Sequence, residues 1–179
     1  MTSTQMGFSF DVGRCSGCMA CVVACSDQND LPEDGWVFRR VIKVETGTSA
    51  AVDIGYVSLA CMHCGEAPCV AVCPTGALSK SPDNGVVRVS PDLCIGCHTC
   101  ATVCPFGAPQ FPEGTLMRKC DFCVERVTNG LEPACVRTCP TKALGFGPME
   151  KLTEEKAKAA SSLIVSSLNP SLVFVRKQP

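Results

Sequence analysis

Apolar and polar residues alternate over several short stretches of the chain, and this pattern predicts a fold built on short β-strands. The stretches that alternate, or that are rich in β-branched and aromatic residues, are residues 8–12, 38–44, 56–60, 77–79, 86–89, 143–146 and 172–175. The turn sequence Asp83-Asn84-Gly85 separates two of them and predicts a β-hairpin.

Helical signals are fewer and equally short. Residues 22–24 suit a helix that starts inside a run of cysteines, and residues 124–129 suit a helix that ends at Gly130. Residues 151–160 are good helix formers, and Thr153, which acidic residues follow, is the expected N-cap. The pattern as a whole predicts an α+β fold of short strands and helices.

Charge and hydropathy exclude two classes of protein. The formal net charge is −1 over 179 residues, and no basic cluster favours a nucleic-acid partner. Residues 161–175 form the most apolar late stretch, but serine, asparagine and proline interrupt it, so no direct membrane span is expected. Residues 1–12 lack the basic and apolar regions of a secretory signal.

Sixteen cysteines give the chain its chemistry. They form four motifs of four: motif one is Cys15, Cys18, Cys21 and Cys25; motif two is Cys61, Cys64, Cys69 and Cys73; motif three is Cys94, Cys97, Cys100 and Cys104; motif four is Cys120, Cys123, Cys135 and Cys139. Thiols so close in sequence do not suit a disulfide framework. The spacing of motif three, which ends in Cys-Pro, is that of [4Fe–4S] ligands in bacterial ferredoxins. Four-thiolate zinc sites use two Cys-x2-Cys pairs set well apart, which motif four alone resembles.

The repeat of the motif also predicts how the cysteines are shared. In two-cluster ferredoxins the last cysteine of a motif ligates the cluster of the other motif. Pairing the neighbouring motifs two and three leaves motifs one and four for each other. Four ligand sets result: cluster A, Cys15, Cys18, Cys21 and Cys139; cluster B, Cys25, Cys120, Cys123 and Cys135; cluster C, Cys61, Cys64, Cys69 and Cys104; cluster D, Cys73, Cys94, Cys97 and Cys100.

This sharing predicts two nested lobes of bacterial-ferredoxin type. Residues 1–55 and 105–148 would form the outer lobe with motifs one and four. Residues 56–104 would form the inner lobe with motifs two and three, and residues 149–179 a C-terminal tail of one helix and one strand. His63 and His98 lie inside motifs, but the four cysteines of each set already complete the ligation. The cations that flank cysteines could offset the negative charge of the clusters: Arg14, Arg118, Lys119, Arg137 and Lys142.

Several segments resemble the four-cluster electron-transfer (beta) subunits of the molybdopterin oxidoreductases, the DMSO reductase superfamily. They are GCMAC at 17–21, CGEAPC at 64–69, CIGC at 94–97, CPFGAPQF at 104–111, KCDFC at 119–123 and PAC at 133–135. The likeness spans about residues 8–148 and implies the same crossed ligation. Some relatives carry a C-terminal membrane helix, which this sequence lacks. Others replace one ligand of motif three, whereas Cys97 here predicts a four-iron cluster.

The resemblance implies a non-catalytic subunit that relays electrons through four [4Fe–4S] clusters. Its expected partners are a catalytic subunit with a molybdenum or tungsten pterin and, beyond it, a membrane anchor, a quinone-linked subunit or a soluble redox protein. Motifs one and four would face the catalytic subunit by analogy. A polyferredoxin subunit of a hydrogenase or formate–hydrogen system is an alternative, and so is a free ferredoxin-type carrier. The expected location is either face of a bacterial membrane, since co-export with a partner that carries the signal would serve the periplasm.

Overall fold

The fold was analysed in a computed structural model, which describes residues 4–33, 35–49, 51–112, 116–156 and 168–175. The α+β class predicted from the sequence is confirmed, because short strands and short helices alternate along the chain. The strands of these described residues are β1 (Met6–Asp11), β2 (Arg40–Thr48), β3 (Ala51–Leu59), β4 (Leu78–Lys80), β5 (Val87–Val89), β6 (Leu144–Pro148) and β7 (Leu172–Val175). The α-helices are α1 (Ala20–Gln28), α2 (Pro68–Ala71), α3 (Thr99–Val103), α4 (Val124–Thr128), α5 (Ala134–Arg137) and α6 (Met149–Lys156).

The central sheet joins the two ends of the chain. Strand β1 lies in the middle, antiparallel to β6 and parallel to β7. Phe8 and Phe10 point from β1 into the main core, where Phe8 meets Phe122 edge-on at 4.8 Å and Phe10 meets Phe174 at 6.0 Å. Half of the ten aromatic residues of the sequence thus pack at this sheet: Phe8, Phe10, Phe122, Phe146 and Phe174.

Two antiparallel hairpins complete the strand pairing of the described residues. Strands β2 and β3 pair along their whole length, from Arg40 opposite Leu59 to Thr48 opposite Ala51. Strands β4 and β5 pair as the turn signal predicted, and Gly85 has a φ of 69°. A Cβ at that position would lie 2.1 Å from the Gln5 side chain, so the turn requires glycine for its conformation and for the close approach of Gln5.

One helix boundary differs from the prediction. Helix α6 begins at Met149, so Thr153 lies in its interior and is not an N-cap. The Thr153 hydroxyl donates to the carbonyl oxygen of Met149 at 2.7 Å, a bond that a threonine within a helix can make with the preceding turn. The predicted continuation over residues 157–160 lies outside the described residues. No helix among the described residues has both the length and the apolar character needed to cross a bilayer.

Candidate metal centres

The four cysteines predicted for cluster A line one cavity. This cavity, which we call cavity A, is lined by Cys15, Cys18, Cys21 and Cys139. The loop after Cys139 adds Pro140, Thr141, Ala143 and Leu144, while Val41 and Ser58 reach it from the β2–β3 hairpin. Motifs one and four are therefore in contact, although more than a hundred residues separate Cys21 from Cys139.

The four cysteines predicted for cluster D line a second cavity of the same construction. Cavity D contains Cys73, Cys94, Cys97 and Cys100. The loop after Cys73 supplies Pro74, Thr75, Ala77 and Leu78, in the order in which Pro140, Thr141, Ala143 and Leu144 follow Cys139. Cavities A and D are thus two copies of one local structure, as expected of an internal duplication.

The set predicted for cluster C lines a third cavity. Cavity C contains Cys61, Cys64, Cys69 and Cys104, together with His63, Val87 and Phe106. The cysteine of motif three therefore lies with three cysteines of motif two, as the shared ligation requires.

The set predicted for cluster B is packed in the main core. Cys25, Cys120 and Cys135 are buried in one cluster of apolar residues, and Cys123 is half-buried beside them. Burial and then the charges of Cys135 and Cys123 raise the pKa of Cys25 to about 12, so these side chains are electrostatic neighbours. Burial, followed by the charges of Cys25 and Cys61, raises the pKa of Cys120 well above its ordinary value.

Every cysteine is a free thiol, which leaves all sixteen available as ligands. A local donor accompanies several sulfurs: the hydroxyl of Thr141 lies 3.7 Å from Cys139 Sγ, that of Thr75 3.7 Å from Cys73 Sγ and that of Thr99 3.4 Å from Cys97 Sγ. The amide of Met117 donates to Cys94 Sγ at 3.5 Å. Hydrogen bonds of this kind accompany thiolate ligands of iron–sulfur clusters, so the donor set fits such a cofactor. Among the described residues, no three Cys, His, Asp or Glu side chains are arranged to hold a single metal ion.

Corresponding loops use the same uncommon backbone conformation. Met19 and His98 each precede a helix with a φ of 62° and occupy equivalent places between the second and third cysteines of motifs one and three. Gly17 has a φ of 70°, and a Cβ there would lie 2.4 Å from the ring of Tyr56. The cysteine loop of motif one therefore requires both a left-handed backbone and a bare Cα beneath Tyr56.

Sets B and C meet at a pair of stacked rings. His63, between Cys61 and Cys64, stacks on Phe122, between Cys120 and Cys123, with 3.8 Å between ring centroids. The amide of Val87 donates to His63 Nδ1 at 3.0 Å, so the remaining proton of the neutral ring is on Nε2. Burial first, and then the charges of Lys119 and Lys80, hold the pKa of His63 well below its usual value.

The flanking cations fall into two groups. Arg14, Arg118, Arg137 and Lys142 are exposed, where solvent screens their charge. Lys119 is buried and donates to the carbonyl oxygens of Val87 and Cys120. Sequence reasoning missed Arg39, which is 2% exposed and lies among Cys21, Cys25, Cys120 and Cys135 although it flanks no cysteine in the sequence. No pattern in the sequence separates Arg39 from the exposed Arg40 beside it.

Comparison with known proteins identifies the family. Two models, each described as a 4Fe-4S dicluster domain, match residues 52–149 and 14–77. The probable anaerobic dimethyl sulfoxide reductase chain YnfG of Escherichia coli is 43% identical over 169 residues, which cover 89% of this chain and 81% of that protein. The B subunit of anaerobic dimethyl sulfoxide reductase from the same organism is 42% identical with the same coverage.

A third relative bears the electron-transfer role in its name. The thiosulfate reductase electron transfer subunit PhsB of Salmonella typhi is 44% identical over 147 residues, which cover 79% of this chain and 74% of that protein. These relatives support the beta-subunit interpretation over the hydrogenase-linked subunit and the free carrier. The chain belongs to the family of 4Fe-4S electron-transfer subunits of molybdopterin oxidoreductases, which are non-catalytic by themselves.

Proposed function

We propose that this chain relays electrons through four [4Fe–4S] clusters between a catalytic molybdenum or tungsten pterin subunit and a quinone-linked or soluble redox partner. The proposed ligands are the four sets given above as A, B, C and D, in two nested lobes. The observation that carries the proposal is that sets A, C and D each line a single cavity with all four of their thiols.

Neighbouring thiols support a linear order of the four sets. Burial raises the pKa of Cys21, and the charge of Cys135 raises it further. Cys21 of set A is therefore an electrostatic neighbour of Cys135 of set B. The Cys61 charge acts on Cys120 and thus connects set C with set B. Burial and the Cys61 charge raise the pKa of Cys69 to about 11, and the Cys100 charge contributes, which connects sets C and D. These electrostatic neighbours support the order A–B–C–D.

Exposure supports sets A and D as the two ends. Cys18 of set A and Cys97 of set D are exposed, whereas every cysteine of sets B and C is buried or half-buried. Apolar side chains surround both ends: Met19 and Val23 are 42% and 66% exposed at set A, and Leu93 and Ile95 are 51% and 66% exposed at set D. Partners that dock on these apolar rims would exclude water from the terminal thiols.

When bound, iron–sulfur clusters supply one-electron redox chemistry at potentials that ligands, hydrogen bonds and exposure adjust. The residues of this chain hold the thiols, donate hydrogen bonds to sulfur and keep the inner sets dry. The relatives are reductase subunits, and an assembly with a catalytic subunit is proposed for this chain by that likeness. We propose a location on either face of a bacterial membrane, in a complex whose other subunits determine export.

The test is metal analysis by mass spectrometry of the native complex purified without oxygen. Four clusters predict about sixteen iron atoms per chain above the share of the partner, together with molybdenum or tungsten. Iron with nickel would replace the proposal by the hydrogenase-linked alternative, and iron on a lone chain by the free carrier. Stoichiometric zinc would contradict the cluster assignment.

A further inference from the structure

Arg39 occupies a place in the core that its charge makes costly. Arg39 stands immediately before β2 and is 2% exposed as a residue. The central carbon of its guanidinium lies over the face of the Phe8 ring, 4.5 Å from the centroid. Nη1 donates to Ser58 Oγ at 3.0 Å, while Nε and Nη2 are buried without a hydrogen-bond partner among the described residues. No ion pair from Arg39 to a carboxylate is found within the part of the chain described. A buried cation of this kind requires a counter-charge and acceptors.

Four cysteines lie close enough to this guanidinium to act on it once they are thiolate ligands. Their effects on Arg39 decrease in the order Cys135, Cys120, Cys21 and Cys25. Three of these four cysteines belong to set B and one to set A. Ser58, which accepts the bond from Nη1, itself lies 3.7 Å from Cys21 Sγ. Arg39 therefore stands between sets A and B, and it is linked to set A through a hydroxyl.

We propose that Arg39 holds a fixed positive charge between clusters A and B and donates its free N–H groups to the sulfur atoms of cluster B. A [4Fe–4S] cluster with four thiolates is an anion, and its sulfurs accept hydrogen bonds. Arginine keeps its charge throughout the accessible pH range and offers several donors in a rigid plane. The cluster would thus supply acceptors for Nε and Nη2 and a counter-charge, neither of which a carboxylate among the described residues provides.

The direction of the effect follows from electrostatics. Reduction adds an electron to the cluster, so a nearby cation stabilises the reduced form more than the oxidised form and raises the potential. The effect is largest for cluster B, smaller for cluster A because Ser58 intervenes, and absent for cluster D. This inference rests on the proposed ligand sets. The experiment below distinguishes a failure of the inference from a failure of the proposed function.

The experiment is an EPR-monitored redox titration of the complete complex that contains the full chain with Arg39→Gln. The signals of clusters A and B are first assigned with the ligand variants Cys18→Ala and Cys123→Ala. We expect the potential of cluster B to fall by at least about 59 mV. For one electron this is a tenfold change in the ratio of reduced to oxidised cluster. Arg39→Lys, which keeps the charge but loses the planar donors, is expected to cause a smaller fall.

Arg40→Gln is the matched control, because it removes the same charge one residue along the chain from an exposed side chain that bonds to the carbonyl of Phe106. Unchanged potentials of clusters A and B in Arg39→Gln, or an equal fall in Arg40→Gln, would overturn the inference. An equal shift of all four clusters would overturn it as well. A wild-type complex without the clusters would instead contradict the proposed function.

A spectroscopic measurement decides the question if Arg39→Gln does not assemble. Wild-type and Arg39→Lys complexes are both labelled with 15N-arginine and reduced, and pulsed EPR then measures nitrogen couplings to cluster B. The inference expects a coupling in the wild type that is lost in Arg39→Lys. The same spectrum in both proteins would exclude a bond from Arg39 to the cluster.

Discussion

Cavities A and D have the same thiol framework but different covers. At each, three cysteines come from one motif and a fourth from a distant Cys-Pro-Thr sequence whose threonine hydroxyl lies 3.7 Å from the sulfur. Cavity A is covered by the β2–β3 hairpin, which contributes Ser58. The buried Arg39, immediately before β2, donates to Ser58 from behind. Cavity D is covered by Phe111 and Met117, both apolar and from an irregular loop. The motif thus fixes the positions of the thiols, while segments inserted between motifs determine the polarity around them.

The largest expected effect tests whether cavities A and D hold separate clusters. Cys18→Ala and Cys97→Ala each remove one exposed thiol, from cavity A and cavity D respectively. We expect each variant to lose only its own cluster, with a fall of up to about four iron atoms per chain. Iron analysis together with EPR measures this, and Ser16→Ala, at the wall of cavity A, serves as the control. Loss of the same signal in both variants would refute the division of ligands.

The next effect concerns the Ser58 hydroxyl at cavity A, which has no counterpart in the Phe111 and Met117 side chains at cavity D. Ser58→Ala removes the hydroxyl that lies between Arg39 and Cys21. Because one hydrogen bond contributes about 0.5–1.5 kcal/mol, we expect the potential of cluster A to fall by at most about a tenfold change in redox ratio. Cluster D should not change in the same titration. Ser79→Ala, at an exposed position of β4, should leave both potentials as in the wild type. A shift at cluster D would show that Ser58 acts through the fold as a whole.

The smallest effect tests the shared backbone of the two ends. Gly76 and Lys142 occupy equivalent places after the Cys-Pro-Thr sequences, with φ of 66° and 53°. A side chain in this conformation costs roughly 1–2 kcal/mol, so Gly76→Ala should destabilise by about 1 kcal/mol. Lys142→Gly relieves the strain but adds freedom to the unfolded chain, so its stabilisation should stay below about 1 kcal/mol. Denaturant unfolding of the loaded protein without oxygen measures both, and changes of the same sign would contradict the equivalence.

Local patterns were sufficient for much of the fold. The alternation at 172–175 predicted β7, and the Asp-Asn-Gly turn predicted the β4–β5 hairpin. The parallel pairing of β7 with β1 could not be predicted, because it depends on a contact between the two ends of the chain. Residues 38–44 and 56–60 were predicted as separate strands, whereas β2 and β3 extend toward each other and form one long hairpin. The part of the hairpin next to its turn, at the end of β2 and the start of β3, is exposed. It therefore lacks the alternation of buried and exposed residues that marks a strand.

The grouping of the thiols was predictable from the sequence, and their surroundings were less so. Cysteine spacing is a local property that can be read from the sequence without knowledge of the fold. It indicated which thiols would come together. Arg39 is distant in sequence from every cysteine around it, so its role depends on the packing of β3 and Phe8. The stack of His63 on Phe122 likewise unites two motifs that the sequence separates. Tertiary contacts of this kind leave no periodic signal.

The position of β1 has a consequence for how the protein is made. Strand β1 is synthesised before the other described strands, yet its two hydrogen-bonding edges are occupied by β6 and β7, the last two described strands to leave the ribosome. Synthesis proceeds at about 5–20 residues per second, so β1 and the thiols of motif one stay unpaired for several seconds or longer. Cys139, the partner of those thiols in cavity A, is likewise a late arrival. A nascent chain therefore presents reduced, open cysteines to its surroundings, and oxygen at that stage would be more damaging than at any time after the terminal strands have closed.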